Sequence, residues 1–112
     1  MPHVHERRRH DRTPLVYPVT VRDRIGRIVF RGRSSDVTPC GIRLIGPCGT
    51  GIRLGGQVWV ELWVPNLRRR GPRNRVVKLQ GEVRRTMNIG DWKGVVVVFS
   101  SNFSPSLLAP VG

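Results

Sequence analysis

Val58-Trp59-Val60-Glu61-Leu62-Trp63-Val64 alternates without a break. Val58, Val60, Leu62 and Val64 share one face, and Trp59, Glu61 and Trp63 share the other. A period of two with β-branched and aromatic residues predicts a strand with one face buried. The same period recurs on both sides. Upstream, Leu15, Tyr17, Val19 and Val21 alternate with Val16, Pro18, Thr20 and Arg22. Pro18 points to an edge or a bulge there, because proline donates no ladder hydrogen bond. Asp23 to Gly26 reads as a turn, Arg27 to Ser35 as a returning strand, and Asp36 to Gly41 (DVTPCG) as a turn-rich joint. Ile42 and Leu44 mark a short third strand, and Gly46-Pro47 through Gly55-Gly56 reads as a glycine-rich loop. Downstream of Pro65 comes a basic loop to Asn74. A long strand follows with Val77, Leu79, Gly81 and Val83 on one face, then a turn at Asn88 to Asp91, and a last strand from Trp92 to Phe99. Six short strands with turns between them and no helical period predict an all-β antiparallel barrel or sandwich. The expected organisation is an arginine-rich arm over residues 1–13, one β domain over 14–100 and a short tail over 101–112.

The chain has 112 residues, one ordinary domain's worth. No apolar run approaches the roughly 20 residues that a membrane-crossing helix needs. The N-terminal stretch MPHVHERRRHDR has charge but no apolar run behind it, which is not the pattern of a secretory signal. A cytoplasmic protein with Cys40 and Cys48 as reduced thiols is therefore expected. Lys plus Arg is 20 against seven acids, a formal net charge of +13, and 18 of the 20 cations are arginine. Such a chain expects an anionic partner: a nucleotide, a nucleic acid, an acidic protein or an acidic surface. Arginine adds a planar fork that matches phosphate and guanine edges.

Two motifs carry the chemistry. Glu6-Arg7-Arg8-Arg9-His10-Asp11-Arg12 contains an R-x-x-x-R pair at Arg8 and Arg12, and Asp36-Val37-Thr38-Pro39-Cys40-Gly41 sets an acid, a hydroxyl and a glycine at fixed offsets. Twenty-three residues separate them, enough for two strands that run out and back and return the second motif beside the arm. A guanidinium can grip a phosphate bidentately, bond guanine O6 and N7, or lie flat on a base. Guanine's donor edge needs an anionic acceptor, and Asp36 is the natural one. Thr38 can add a hydroxyl bond, and Gly41 permits close backbone approach.

In these residues the chain resembles the PilZ domain family, whose members bind the bacterial second messenger cyclic di-GMP. That family's signature pairs R-x-x-x-R with D/N-x-S/T-x-x-G some twenty-odd residues later. Arg8 and Arg12 match the first half; Asp36, Thr38 and Gly41 match the second. Gly56 with the alternating strand ending at Pro65, the run Gly81-Glu82-Val83-Arg84 and the closing VVVVF extend the likeness from residue 6 to about 99. Thr38 stands where the family more often has serine, Val96 where a glycine is common, and the tail has no counterpart of the helix that often follows the barrel. The resemblance implies a six-stranded antiparallel β-barrel that is not an enzyme. It implies cyclic di-GMP as ligand, with no cofactor or metal, held by Arg8, Arg12, Asp36, Thr38 and Gly41, with Arg7 and Arg9 as further candidates. It also implies relay to a protein partner as yet unidentified, without a membrane span.

The remaining features have plainer readings beside the functional ones. No catalytic set, P-loop or paired carboxylates stand out. His3, His5, Glu6, His10 and Asp11 could be read as metal ligands, but an arm is a poor metal cage. Arg68, Arg69, Arg70 and Arg73 read first as a solvated basic loop. Trp59 and Trp63 are either covered by loops or tail (Leu107, Leu108) or form an apolar patch that docks a partner. Two alternatives stand beside the cyclic di-GMP reading. One is a small basic barrel for single-stranded nucleic acid, disfavoured because Tyr17 and the other aromatics do not form a stacking row. The other is a PilZ-like adaptor with a vestigial nucleotide site.

Overall fold

A computed structural model describes residues 16–47, 51–65, 74–102 and 104. The arm, the basic loop over 66–73 and most of the tail lie outside the described residues, as do Arg7, Arg8, Arg9 and Arg12. Six strands follow in order: β1 (Pro18–Arg22), β2 (Ile28–Val37), β3 (Gly41–Pro47), β4 (Gln57–Pro65), β5 (Asn74–Ile89) and β6 (Trp92–Phe99). All pairings are antiparallel, and the sheet closes on itself in the order β1-β2-β3-β6-β5-β4. The all-β barrel that the alternation pointed to is the fold.

Alternate residues of every strand meet inside. Val19 and Val21, Phe30 and Val37, Ile42 and Leu44, the four aliphatics of β4, Val83, and Val95, Val97 and Phe99 are all buried. Each such side chain contributes about 1.5–3 kcal/mol through removal from water. Tyr17 and Ile52 complete the core from the connections. Ile52 enters from the β3–β4 connection beside Val29 and Val58. It covers the barrel at the end that holds the β1–β2 turn, where Asp23 accepts the backbone N–H groups of Ile25 and Arg27.

The register corrects four details of the sequence pattern. No strand of the closed sheet is an edge, so Pro18 is not an edge residue. It is tolerated because it is the first residue of β1, paired with Arg33 of β2, and the ladder to β4 starts only at Val19. β2 begins one residue later than expected, and it runs on through Asp36 and Val37, so half of DVTPCG is strand and the turn proper is shorter. Gly46 and Pro47 belong to β3, held against Lys93 and Trp92 of β6 rather than looped out. β5 continues to Ile89, leaving only Gly90 and Asp91 as the hairpin loop, with Gly90 at φ +61 in its first position. In the last three cases cross-strand pairing recruited residues whose local propensity favoured a turn.

β5 has 16 residues because it serves two neighbours, with Asn74 to Glu82 pairing with β4 and Gly81 to Ile89 with β6. On the outside of β4, Trp59 and Trp63 are 41% and 39% exposed; Leu107 and Leu108 lie outside the described residues. Glu61 between them is buried, with Arg22 Nε 3.1 Å and Lys78 Nζ 3.9 Å from its carboxylate. The two cations answer the charge that burial would otherwise penalise.

Ser34 is the other buried polar side chain among the described residues. Its Oγ accepts the Tyr17 N–H at 2.9 Å, and its own N–H donates to the Tyr17 carbonyl at 2.9 Å. Ser34→Ala removes the side-chain acceptor in a buried setting and should cost about 1–3 kcal/mol, read from the midpoint of urea unfolding. A midpoint equal to wild type would mean that this bond does not hold the entry to β1.

Candidate functional site

The site is built by one extra residue. Counting by twos from the buried Phe30 puts Gly32, Ser34 and then Asp36 on the inner face, which would drive a carboxylate into an apolar core. The register prevents this. Arg33 pairs with Ile45 and Ser34 with Leu44, but Asp36 pairs with Arg43 and Val37 with Ile42, so Ser35 is unmatched. This β-bulge re-aims the rest of the strand. Val37 becomes fully buried, and Asp36 comes out to a half-buried position on the outer surface.

A tight turn follows. Thr38 N–H donates to the Gly41 carbonyl at 2.9 Å. Thr38 Oγ1 accepts the N–H groups of Gly41 at 3.2 Å and Cys40 at 3.3 Å, and donates to the Gly41 carbonyl at 3.2 Å. One donor and two acceptor positions are a hydroxyl's whole capacity, so the Thr38 side chain is spent on shaping the turn. Pro39 stands at the first of the two loop positions, where its ring presets φ. Phe99 N–H then donates to the Cys40 carbonyl at 2.8 Å, tying the end of β6 to the loop. Gly41 has a packing reason to be glycine: a Cβ there would lie 2.5 Å from the Val97 carbonyl oxygen of β6.

The outcome is a depression of about 230 Å³ on the barrel's outer face, lined by Asp36, Thr38, Cys40 and Gly41 with Arg43, Val96 and Val98. Small-molecule pockets run to roughly 300–1,000 Å³, so the depression formed by the described residues is shallower than a complete pocket of that kind. Asp36 and Arg43 sit opposite one another across the β2–β3 ladder, placing a carboxylate and a guanidinium side by side. Arg43 was not among the sequence candidates. Its signal is positional: it lies two residues beyond Gly41, hence on the same face of β3. Val96, which departs from the family pattern, pairs with Arg43 and forms part of the floor.

Of the sequence candidates, Asp36, Thr38 and Gly41 thus come together at one turn. The structure also fixes where the chain ahead of β1 must begin. Ser34 and Tyr17 are bonded to each other, so Tyr17 is anchored two residues before Asp36 on the neighbouring strand. Among the described residues no three His, Cys, Asp or Glu side chains gather into a metal site. Nor does any helix there have the length and apolarity to cross a membrane.

A sequence model of the PilZ domain matches residues 6–109. A search among curated proteins finds no match. Among solved structures, the chain is similar to the Bacillus subtilis inhibitor of motility, MotI/DgrA, with a TM-score of 0.64 and 18% identity. The match covers 88% of this chain and 45% of that protein, so the chain spans less than half of its length. At that identity the likeness is one of fold.

The hydrogen bonds of Thr38 give a test that needs no ligand. Thr38→Ser keeps all three and should unfold within about 0.5 kcal/mol of wild type, the usual scale of mild substitutions. Thr38→Val deletes them and should cost about 1–3 kcal/mol in chemical denaturation. Equal stabilities would show that the hydroxyl does not hold the turn.

Proposed function

The chain belongs to the PilZ domain family, and we propose that it is a cyclic di-GMP receptor that closes its N-terminal arm over the turn at Asp36 to Gly41 and relays the signal to a protein partner. The observation that carries this reading is the bulge-and-turn at one wall of a depression, anchored beside the root of an arm that holds Arg8 and Arg12. Such a protein performs binding and relay rather than catalysis, and works in the bacterial cytoplasm, where a second messenger acts.

The chemistry follows from the groups present. Cyclic di-GMP has two phosphates and two guanines. Asp36 faces outward as an anionic acceptor for a guanine's N–H edge, and Arg43 opposite supplies a donor for a phosphate or for O6 and N7. The valine floor takes the flat face of a base by apolar contact. Thr38 and Gly41 act in this reading chiefly by holding the turn, since the Thr38 hydroxyl is already engaged. The other wall comes from the arm. Arg12 is five residues from Tyr17, a span of at most about 18 Å, and Arg8 is nine, at most about 32 Å. Both reach Asp36, which is only about 7 Å along β2 from Ser34. Arg7 and Arg9 flank the pair and add field or further phosphate bonds.

The relay is the arm's ordering. Residues 1–13 have Val4 as almost their only apolar side chain beyond Met1, so burial cannot offset about 1–2 kcal/mol of backbone entropy per ordered residue. Four arginines within six positions also repel one another until an anion arrives. The ligand's phosphates supply that anion. The ordering cost is drawn from the binding energy, which sets affinity around micromolar rather than at the limit of the contacts.

Calorimetric titration with cyclic di-GMP is the direct test. Arg8→Ala, Arg12→Ala and Asp36→Ala should each lose on the order of 2–5 kcal/mol of affinity, by stripping a charge-assisted bond from a desolvated ligand. Replacing Arg68, Arg69 and Arg70 together by Ala should cost less than about 1 kcal/mol, through the long-range field alone. Trypsin should cut at Arg7 to Arg12 quickly without ligand and slowly at saturation. Wild-type affinity in the two arm variants, or equal cutting rates, would remove the arm from the mechanism.

A further inference from the structure

The outer face that carries the nucleotide depression does not end at it. Along the β3–β6 ladder, Gly41 pairs with Val98, Arg43 with Val96, Ile45 with Gly94 and Pro47 with Trp92. The β5–β6 ladder adds Met87 opposite Gly94 and Ile89 opposite Trp92. These residues alternate with the buried Ile42, Leu44, Val95 and Val97, so they all point outward. The first two rows form the depression. The next two form an apolar surface on which Trp92 and Ile89 are each 54% exposed, with Met87 and Ile45 exposed beside them. Val16, Ile45, Pro47 and Trp92, with Arg31 and Arg33, line an open hollow of about 600 Å³, larger than the depression itself. A monomer that leaves a tryptophan and three aliphatic side chains together in water has a surface built for contact.

We infer that this face docks an acidic, amphipathic segment of a protein partner: an apolar side chain enters the hollow beside Trp92, and flanking carboxylates meet Arg31 and Arg33. Charge selects the occupant. The described lining of the hollow contains two arginines and no carboxylate, and Arg43 lies two residues from Ile45 on the same face of β3. A second copy of this chain would bring another net +13 to the contact, which repels. Ile89 and Trp92 flank the hairpin tip at Gly90 and Asp91, but Val16, Ile45 and Pro47 line a concavity beside it, which a side chain fills and a flat bilayer surface does not. Single-stranded nucleic acid favours successive aromatic platforms, whereas this surface has one tryptophan among aliphatic residues. The inference deepens the relay reading and rests on it for its role in signalling. The surface adjoins the depression through Arg43 and Ile45, two residues apart on one strand face.

The test uses the 112-residue chain labelled with ¹⁵N and a capped hexapeptide of four glutamates around a Leu-Phe pair. Its addition should shift the amides of Ile45, Met87 and Gly94 and the Trp92 indole, saturably, while those of the β4 outer face stay in place. A hexapeptide with lysines for the glutamates should cause no such shifts. Trp92→Ser, which leaves the net charge unchanged, and Arg33→Glu should each weaken binding at least tenfold. Ile45→Ser repeats the apolar test if Trp92→Ser unfolds. Unmoved resonances, equal response to the lysine peptide, or wild-type affinity in Trp92→Ser would overturn the inference. So would vesicles of phosphatidylglycerol or an oligothymidylate producing these shifts where the glutamate peptide does not. Cyclic di-GMP affinity should change less than twofold in Trp92→Ser. Peptide binding by a wild type that ignores the nucleotide would sink the receptor reading and leave this surface standing.

Discussion

The reciprocal hydrogen bonds between Ser34 and Tyr17, set one residue before the β2 bulge, are the constraint on which the geometry of the Asp36 to Gly41 turn depends. They satisfy buried polar groups that would otherwise be penalised, and they do so across the first two elements of the chain. Two consequences follow at once. The segment ahead of β1 must start beside β2, within reach of the turn. And β2 is clamped on the β1 side just where its register to β3 slips, so the extra residue is accommodated at Ser35 rather than farther along. Without the slip, Asp36 would point inward and Val37 outward, an arrangement that costs both a buried charge and an exposed valine.

The same outer surface presents two stretches of different chemistry. Near the turn it offers a carboxylate and a guanidinium over a shallow valine floor, suited to a small, polar, directional ligand. Farther along β3 and β6 it offers tryptophan and aliphatic area with an arginine rim, suited to a larger, softer partner. The barrel makes them neighbours because β3 is paired along its whole length with β6, whose even-numbered residues face out. The β4 tryptophans lie on another part of the barrel. There Glu61, with Arg22 and Lys78, separates them with a neutralised ionic centre, which makes that face less continuous in its apolar character.

The glycine and threonine of the second motif show how a binding signature can be kept for the fold. Gly41 is needed because β6's backbone leaves no room for a Cβ, and Thr38 is needed to close the loop. Asp36 also lines the depression, and its outward position is the product of the bulge and of the turn that the other two hold.

Strand number, the inward set of β4, and the spacing of Arg8 and Arg12 to Asp36, Thr38 and Gly41 were legible in the sequence. They are local or simply periodic, and alternation between apolar and polar residues is itself the physical cause of a half-buried strand. The bulge at Ser35, the true ends of β2, β3 and β5, and the closure that leaves Pro18 no edge were not. Each is a choice of register between segments far apart in sequence, where pairing energy overrides the local preference of an Asp, a Gly-Pro or an Asn. Arg43's place in the site is of the same kind, since its identity is plain but its partner across the ladder is not. So is the hollow at Trp92, whose walls come from residues 16 to 92 and exist only once β2, β3 and β6 lie side by side. Local pattern dictates which residues can be buried and which motifs carry groups suited to an anion. The tertiary structure decided which way Asp36 faces, and what lies beside it, because a side chain's direction in a sheet depends on register, and register is a property of two strands rather than of one.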